Sequence, residues 1–342
     1  MAIVNLKSYE YNPKKDAAAH CAVKSAYTFN MEQVRVGQAI YLKGMLFNHS
    51  CQPNIHAYFL SRKLFIRSTE FIQAGYPLEL SYGPQIGQMD YSERQSLLED
   101  QYSFKCQCVG CSVINLSDIC MHAFGCPRLN CCGAILESDM IDNRKSEEDC
   151  TDVPCSEKRG DIQMVASILP EISKTSSQIR RNYCLNCGLY HNLVVFRDLA
   201  ENAMIDIRRL QNANISGNVN TILISDAMRA LNQLKSVKHM YNKDVSQAED
   251  IIAEAFSLIG DFQSALNHCK ASIKVLKKLY HKNHIVIGNE LLKLASLKFC
   301  LDDRKSAIHD IKQLEAILLL YYGTHITKIF PYLDDLMRQI YS

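Results

Sequence analysis

The sequence predicts an α+β chain in three parts: a β-rich first portion, a cysteine-rich middle and an all-helical tail. Three observations carry this reading. Period-two apolar alternation bounded by turn residues concentrates before residue 90. Most of the fifteen cysteines crowd between residues 104 and 190. From about Leu193 onward, apolar residues recur at three- and four-residue spacing. At 342 residues there is room for two or three domains with a substantial core.

In the first part, "IHAYFL" (55–60) and "LFIR" (64–67) read as strands flanking a Ser61-Arg62 turn, and "PLELS" (77–81) follows a turn at Gly75. A helix is expected from about Tyr91 to Gln101, with Asp90 and Glu93 as its capping pair and Leu97 and Leu98 on one face. Between an apolar run and the first of these strands sits "NHSC" (48–51), a polar knot that strand propensity does not explain.

The cysteines are odd in number and closely spaced, and no basic–apolar leader with a small-residue cleavage site opens the chain. A reducing compartment with metal-bound thiolates is expected, not a disulfide scaffold. Cys106, Cys108 and Cys111, on a turn-forming Gly110, can converge on one tetrahedral zinc ion. A structural zinc wants a fourth ligand, and Cys51 in the polar knot is the best candidate. A second set pairs Cys126 and Cys131 with Cys184 and Cys187 as a zinc-ribbon-like unit closing over a polar insert, expected to be a disordered loop at about 137–161. Cys132 competes with Cys131 there, and Cys120 or His122 could substitute. Cys150 and Cys155 in the insert read as free thiols, Cys269 and Cys300 as helix core.

The helical tail carries an internal echo. "GDFQSAL" (260–266) matches "DDRKSAI" (302–308) at an offset of 42 residues, which suggests helical hairpins in a short solenoid. Charge excludes other classes: 38 Lys+Arg against 36 Asp+Glu gives no reason to expect direct nucleic-acid binding. The longest apolar run, residues 316–322, is too short to span a bilayer, so no membrane association is expected.

"NHSCQPN" (48–54), "LELSYG" (78–83) and "QYSFKCQCVGC" (101–111), in that order, resemble the C-terminal half of a SET domain with its post-SET cysteines. Together with the helical tail they resemble the SET-and-MYND protein-lysine methyltransferases, most of all the member-four-like branch in its plant forms. The resemblance implies transfer of a methyl group from S-adenosylmethionine to a lysine side chain of a protein substrate, a histone or another protein. It implies that Asn48 and His49 hold the cofactor, that Tyr82 lies at the methyl-transfer channel, and that Tyr102 and Phe104 wall the adenosine and lysine pockets. It also makes Cys51, Cys106, Cys108 and Cys111 the zinc ligands.

The expected domains are residues 1–103 as the C-terminal part of a SET domain, 104–119 as the post-SET zinc segment, 120–190 as the ribbon, and 191–342 as TPR-like helices. Residues 1–35 hold no glycine and only Cys21 for thiols, so the family's Gly-x-Gly segment and MYND finger are expected to be absent from this chain. On that ground a truncated form with reduced or no activity is expected. The alternative is an inactive zinc-stabilised interaction module whose helices bind a protein partner. Nuclear or cytoplasmic residence, or both, is expected.

Overall fold

The computed structural model of the chain describes residues 4–9, 33–39, 41–112, 115–137, 180–330, 333, 337 and 338. Cys150, Cys155 and the insert from residue 138 to 161 lie outside the described residues. The strands are β1 (Val4–Tyr9), β2 (Gln33–Ala39), β3 (Asn48–His49), β4 (Ile55–Leu60), β5 (Lys63–Ser68) and β6 (Glu79–Leu80). β1 pairs antiparallel with β2, and β4 with β5; β3 and β6 run parallel. The β4–β5 turn at Ser61-Arg62 places Ser61 in the left-handed region, φ 53°.

Helix α1 (Tyr91–Tyr102) opens on a reciprocal cap. The Glu93 N–H donates to Asp90 Oδ1 at 2.8 Å, and the Asp90 N–H donates to Glu93 Oε2 at 2.8 Å. Its inward face carries Arg94 and Leu98, one turn apart and both fully buried. Two short helices, α2 (Val109–Ser112) and α3 (Leu116–Cys120), and the paired β7 (Phe124–Gly125) and β8 (Ala134–Ile135) complete the cysteine-rich part.

Three helical hairpins follow: α4 (Val194–Ser216) with α5 (Thr221–Val237), α6 (Lys243–Leu258) with α7 (Phe262–Leu279), and α8 (Ile285–Cys300) with α9 (Arg304–Tyr322); a last turn, α10, spans Ile326–Ile329. Each hairpin packs on the next. The 42-residue echo has a physical basis. Gly260 and Asp302 both take positive φ (86° and 60°) where a helix ends, a conformation open to glycine and to short polar side chains. Asp261 and Asp303 then cap the next helix by accepting from the backbone N–H of Ser264 and Ser306, at 3.0 and 3.3 Å. Ala265 and Ala307, both wholly buried, sit where the helices pack. Cys269 is buried in this core and Cys300 packs against it. Among the described residues, no helix is long and apolar enough to cross a membrane.

The parts are joined by specific contacts. Phe124, Ile135 and Cys184 enter the core of α4–α6, and the His239 N–H donates to the Ala123 carbonyl at 3.0 Å. From the β4–β5 hairpin, Arg67 caps the end of α9 by donating to the Leu320 and Leu319 carbonyls at 3.1 and 3.2 Å. Tyr58 donates its hydroxyl proton to the Tyr322 carbonyl at 2.9 Å and accepts from His325 Nδ1 at 2.8 Å.

Candidate functional site

Just after the polar knot, Asn54 forms a clamp. Buried Asn54 donates from Nδ2 to the Pro77 carbonyl (2.9 Å) and accepts the Glu79 N–H on Oδ1 (2.8 Å), locking β6 beside β3. The Ser50 N–H adds a bond to the Leu80 carbonyl at 3.0 Å. With β6 so held, Cys51 faces the loop that follows α1.

There the sulfurs of Cys51, Cys106, Cys108 and Cys111 all lie within 4.8 Å of one another. Cys51 Sγ is 3.5 Å from Cys111 Sγ and 4.0 Å from Cys106 Sγ. A tetrahedron of Zn–S bonds about 2.3 Å long separates its sulfurs by about 3.8 Å, so the set fits zinc. Backbone N–H groups of Cys51 and Cys108 point at Cys108 Sγ and Cys106 Sγ, at 3.4 and 3.5 Å. Hydrogen bonding from Cys108 and the neighbouring thiols holds Cys106 far below the usual thiol range, whereas its bond to Cys106 pushes Cys51 up.

Helix α1 supports the loop. The Gln95 amide pairs with both the N–H and the carbonyl of Cys106, each at 2.9 Å. Arg94 donates to the Gly110 carbonyl (3.1 Å) and to Asp118 Oδ2 (3.1 Å), and reaches Cys111 Sγ at 3.8 Å. Burial works against the Arg94 charge, but the hydrogen bonds and charge of Asp118 outweigh it and keep the guanidinium protonated. A Cβ at Gly110 would run into the end of the Ile86 side chain, which would have to turn aside.

One histidine links this cluster to the tyrosine. The Tyr82 N–H donates to His49 Nδ1 at 3.0 Å, which leaves the imidazole proton on Nε2, 3.3 Å from Cys51 Sγ. Both ring nitrogens of His49 are thus committed inside the protein. Around it the Tyr82 ring lies 5.2 Å and the Phe104 ring 6.0 Å away, and Tyr102 sits 5.1 Å from Tyr82. Tyr82 donates its hydroxyl to the Phe47 carbonyl at 2.7 Å, and Tyr102 donates to the Tyr82 carbonyl at 3.1 Å. Burial, then the neighbouring Tyr102, raises the Tyr82 pKa, so its phenol stays protonated at neutral pH. Asn48 is exposed beside this group. Phe47, Tyr82 and Tyr102 also line a cavity of about 460 Å³ whose wall is completed by β4, β5 and the α7–α8 loop.

The second cluster gathers Cys126, Cys131, Cys184 and Cys187, again within 4.8 Å. Cys126 lies 3.7 Å from Cys187, and Cys131 3.6 Å from Cys184, which also fits tetrahedral zinc. The backbone N–H of Leu189 brings Cys187 down to about 7. The alternatives fall elsewhere: Cys120 is buried in apolar contact with Leu116 and Ile119, His122 lies beside Asp90 and Glu93, and Cys132 is exposed. Sequence reasoning missed Arg94, Asp118 and Gln95, since nothing local marks a polar side chain as supporting a distant loop. It also missed His191, whose Nε2 lies 3.6 Å from Cys126 Sγ; its place four residues after Cys187 was the available signal.

Residues 5–83 match the SET domain family. Protein-lysine N-methyltransferase SMYD4 of Homo sapiens is 25% identical over 307 residues, which cover 89% of this chain and 33% of that protein. Histone-lysine N-methyltransferase ASHR1 of Arabidopsis thaliana is 22% identical over 305 residues, 86% of this chain and 53% of the relative. Histone-lysine N-methyltransferase SMYD3 of Mus musculus is 35% identical over 96 residues, 28% of this chain and 22% of the relative. The chain spans about a third of the length of its SMYD4 relatives.

Proposed function

From this homology to SET-and-MYND protein-lysine methyltransferases, we propose that the chain forms part of a protein-lysine N-methyltransferase site that uses S-adenosylmethionine and is organised by structural zinc. One observation carries the reading. The segment bearing His49, the strand end bearing Tyr82 and the loop bearing Phe104 converge on a single zinc-compatible sulfur cluster. S-adenosylmethionine supplies an activated methyl group, and the reaction then needs mainly alignment and desolvation of a neutral lysine amine.

The residues suit that demand. Tyr82, held as a protonated phenol against the Phe47 carbonyl, orients the amine by hydrogen bonding and takes no proton. Tyr102 and Phe104 wall the pockets, with ring faces suited to a sulfonium or methylated ammonium. Asn48 and the backbone of His49 meet the cofactor, because the His49 ring is already engaged. Zinc at Cys51, Cys106, Cys108 and Cys111 ties the cofactor wall together, and zinc at Cys126, Cys131, Cys184 and Cys187 anchors the ribbon. The protein substrate, a histone among the candidates, enters the cavity beside Tyr82, and the helical hairpins offer a surface for protein partners.

Two measurements test this. Calorimetry of the purified chain with S-adenosylmethionine should give binding that Phe104→Ala weakens; silence in the wild type overturns the reading. In a version extended to the full length of its SMYD4 relatives, incubation with tritiated S-adenosylmethionine and core histones should label protein, with the label lost in Tyr82→Phe. Undiminished labelling by that variant removes Tyr82 from its role.

A further inference from the structure

The ribbon cluster draws on two turns, one carrying Cys126 and Cys131 and the other Cys184 and Cys187. Their sulfurs find hydrogen-bond donors in different ways. Those of the second turn are served by their own backbone: Cys184 takes the Asn186 and Cys187 N–H groups, and Cys187 takes that of Leu189. Those of the first turn are reached by side chains from across the site. Asn186 Nδ2 donates to Cys131 Sγ at 3.5 Å. His191 Nε2 lies 3.6 Å from Cys126 Sγ, which also takes the Arg128 backbone N–H.

Backbone bonds set His191 up for this contact. Its N–H donates to the Asn182 carbonyl at 2.8 Å, and Tyr183 pairs with Tyr190 beside it, their rings 5.4 Å apart. Gly188 turns the chain at φ 69°, and the Cys184 N–H closes the loop onto the Leu189 carbonyl at 2.9 Å. From this closed hairpin the imidazole meets a sulfur 65 positions earlier in the chain. The four sulfurs already complete a tetrahedron, so no place in it is left for a nitrogen. A zinc-bound sulfur carries no proton and can only accept, which puts the imidazole proton on Nε2. Four thiolates also outweigh the charge of one zinc ion, and N–H donors spread that excess.

We propose that His191 serves the ribbon zinc without ligating it: Nε2–H donates to the metal-bound Cys126 sulfur and, with Asn186, straps the second turn to the first so that the ion is retained. The inference rests on zinc at Cys126, Cys131, Cys184 and Cys187 and stands apart from the methyltransferase reading.

The test loads the full chain with zinc and times its release to a chromogenic chelator. The ribbon ion is the phase that disappears in Cys184→Ser. His191→Phe should speed that phase by about ten- to a hundredfold, the scale of losing an outer partner, and leave the other phase unchanged. His191→Gln returns an N–H donor of similar reach and should recover most of the loss. Cadmium NMR of the wild type adds a signature that packing alone would not give. The ribbon cadmium should resonate as an all-sulfur site and couple to the proton on His191 Nε2. Equal release from wild type and His191→Phe overturns the proposal, as does a cadmium shift showing nitrogen among the ligands or a ribbon that holds no ion. S-adenosylmethionine enters none of these measurements, so their failure and that of the methyltransferase reading are told apart.

Discussion

The cysteine-rich half, from Asn48 to His191, and the helical half, from Val194 to Tyr322, are held together in opposite ways. In the first, β3, β6, β7 and β8 are two residues each, and the sulfur clusters join positions as far apart as 51 and 106 or 126 and 187. Strands that short cannot stand alone. Their placement depends on a few tie points: two sulfur tetrahedra, the Arg94–Asp118 pair and the Asn54 clamp. In the second, the three hairpins pack through two apolar clusters that adjoin on α6, and neither cluster hangs on one contact. The difference teaches where precision comes from. The proposed chemistry gathers on the side built from tie points because these fix individual groups, and the hairpins supply the wall against which the cavity closes.

Chelation should break the comparison most visibly. Stripping metal with a strong chelator is expected to make the cysteine-rich half protease-sensitive while most far-ultraviolet helicity survives; a parallel collapse of both signals would mean the halves are not separately held. Next in size is Asp118→Ala, which leaves the buried Arg94 charge uncompensated. It should cost about 3–5 kcal/mol in denaturant unfolding, and an effect under about 1 kcal/mol would deny the pair its role. A distributed core should suffer less from one change. Ala307→Leu overpacks a wholly buried position and is expected to cost about 1–3 kcal/mol, read as a drop in melting temperature.

The smallest effect concerns pH. Burial, reinforced by Asp250, raises Glu290 from 4.5 to about 7 in the helical half. Between those values the folded state holds the proton and the unfolded state does not. Glu290 therefore favours folding most below about pH 4.5, and its contribution falls as pH rises to about 7. Glu290→Gln should flatten that part of the stability profile; an unchanged slope would assign it to other groups.

Legibility followed the same division. The β4–β5 hairpin, the Asp90/Glu93 cap and the helical repeat could be read because each depends on residues within a few positions or on a short period. Thiol spacing suggested both cysteine sets, since a metal demands four ligands of one chemistry. The resemblance named His49, but nothing in the sequence marked it as a bridge from Tyr82 to Cys51, because its bonds depend on β6 lying parallel to β3. Nothing in the linear order marked Arg94 and Asp118 as a buried pair, because their burial depends on how the cysteine loop folds over them.

The sequence by itself determined the local elements and the chemical types available: thiol sets, an aromatic–histidine group and amphipathic helices, all governed by near-neighbour spacing. Only the tertiary structure decided which alternative cysteine joins which cluster, that His49 spends both nitrogens internally, and that His56 Nε2 is buried without a partner. Those outcomes depend on segments far apart in the chain meeting at hydrogen-bond distance, and linear spacing carries no term for that.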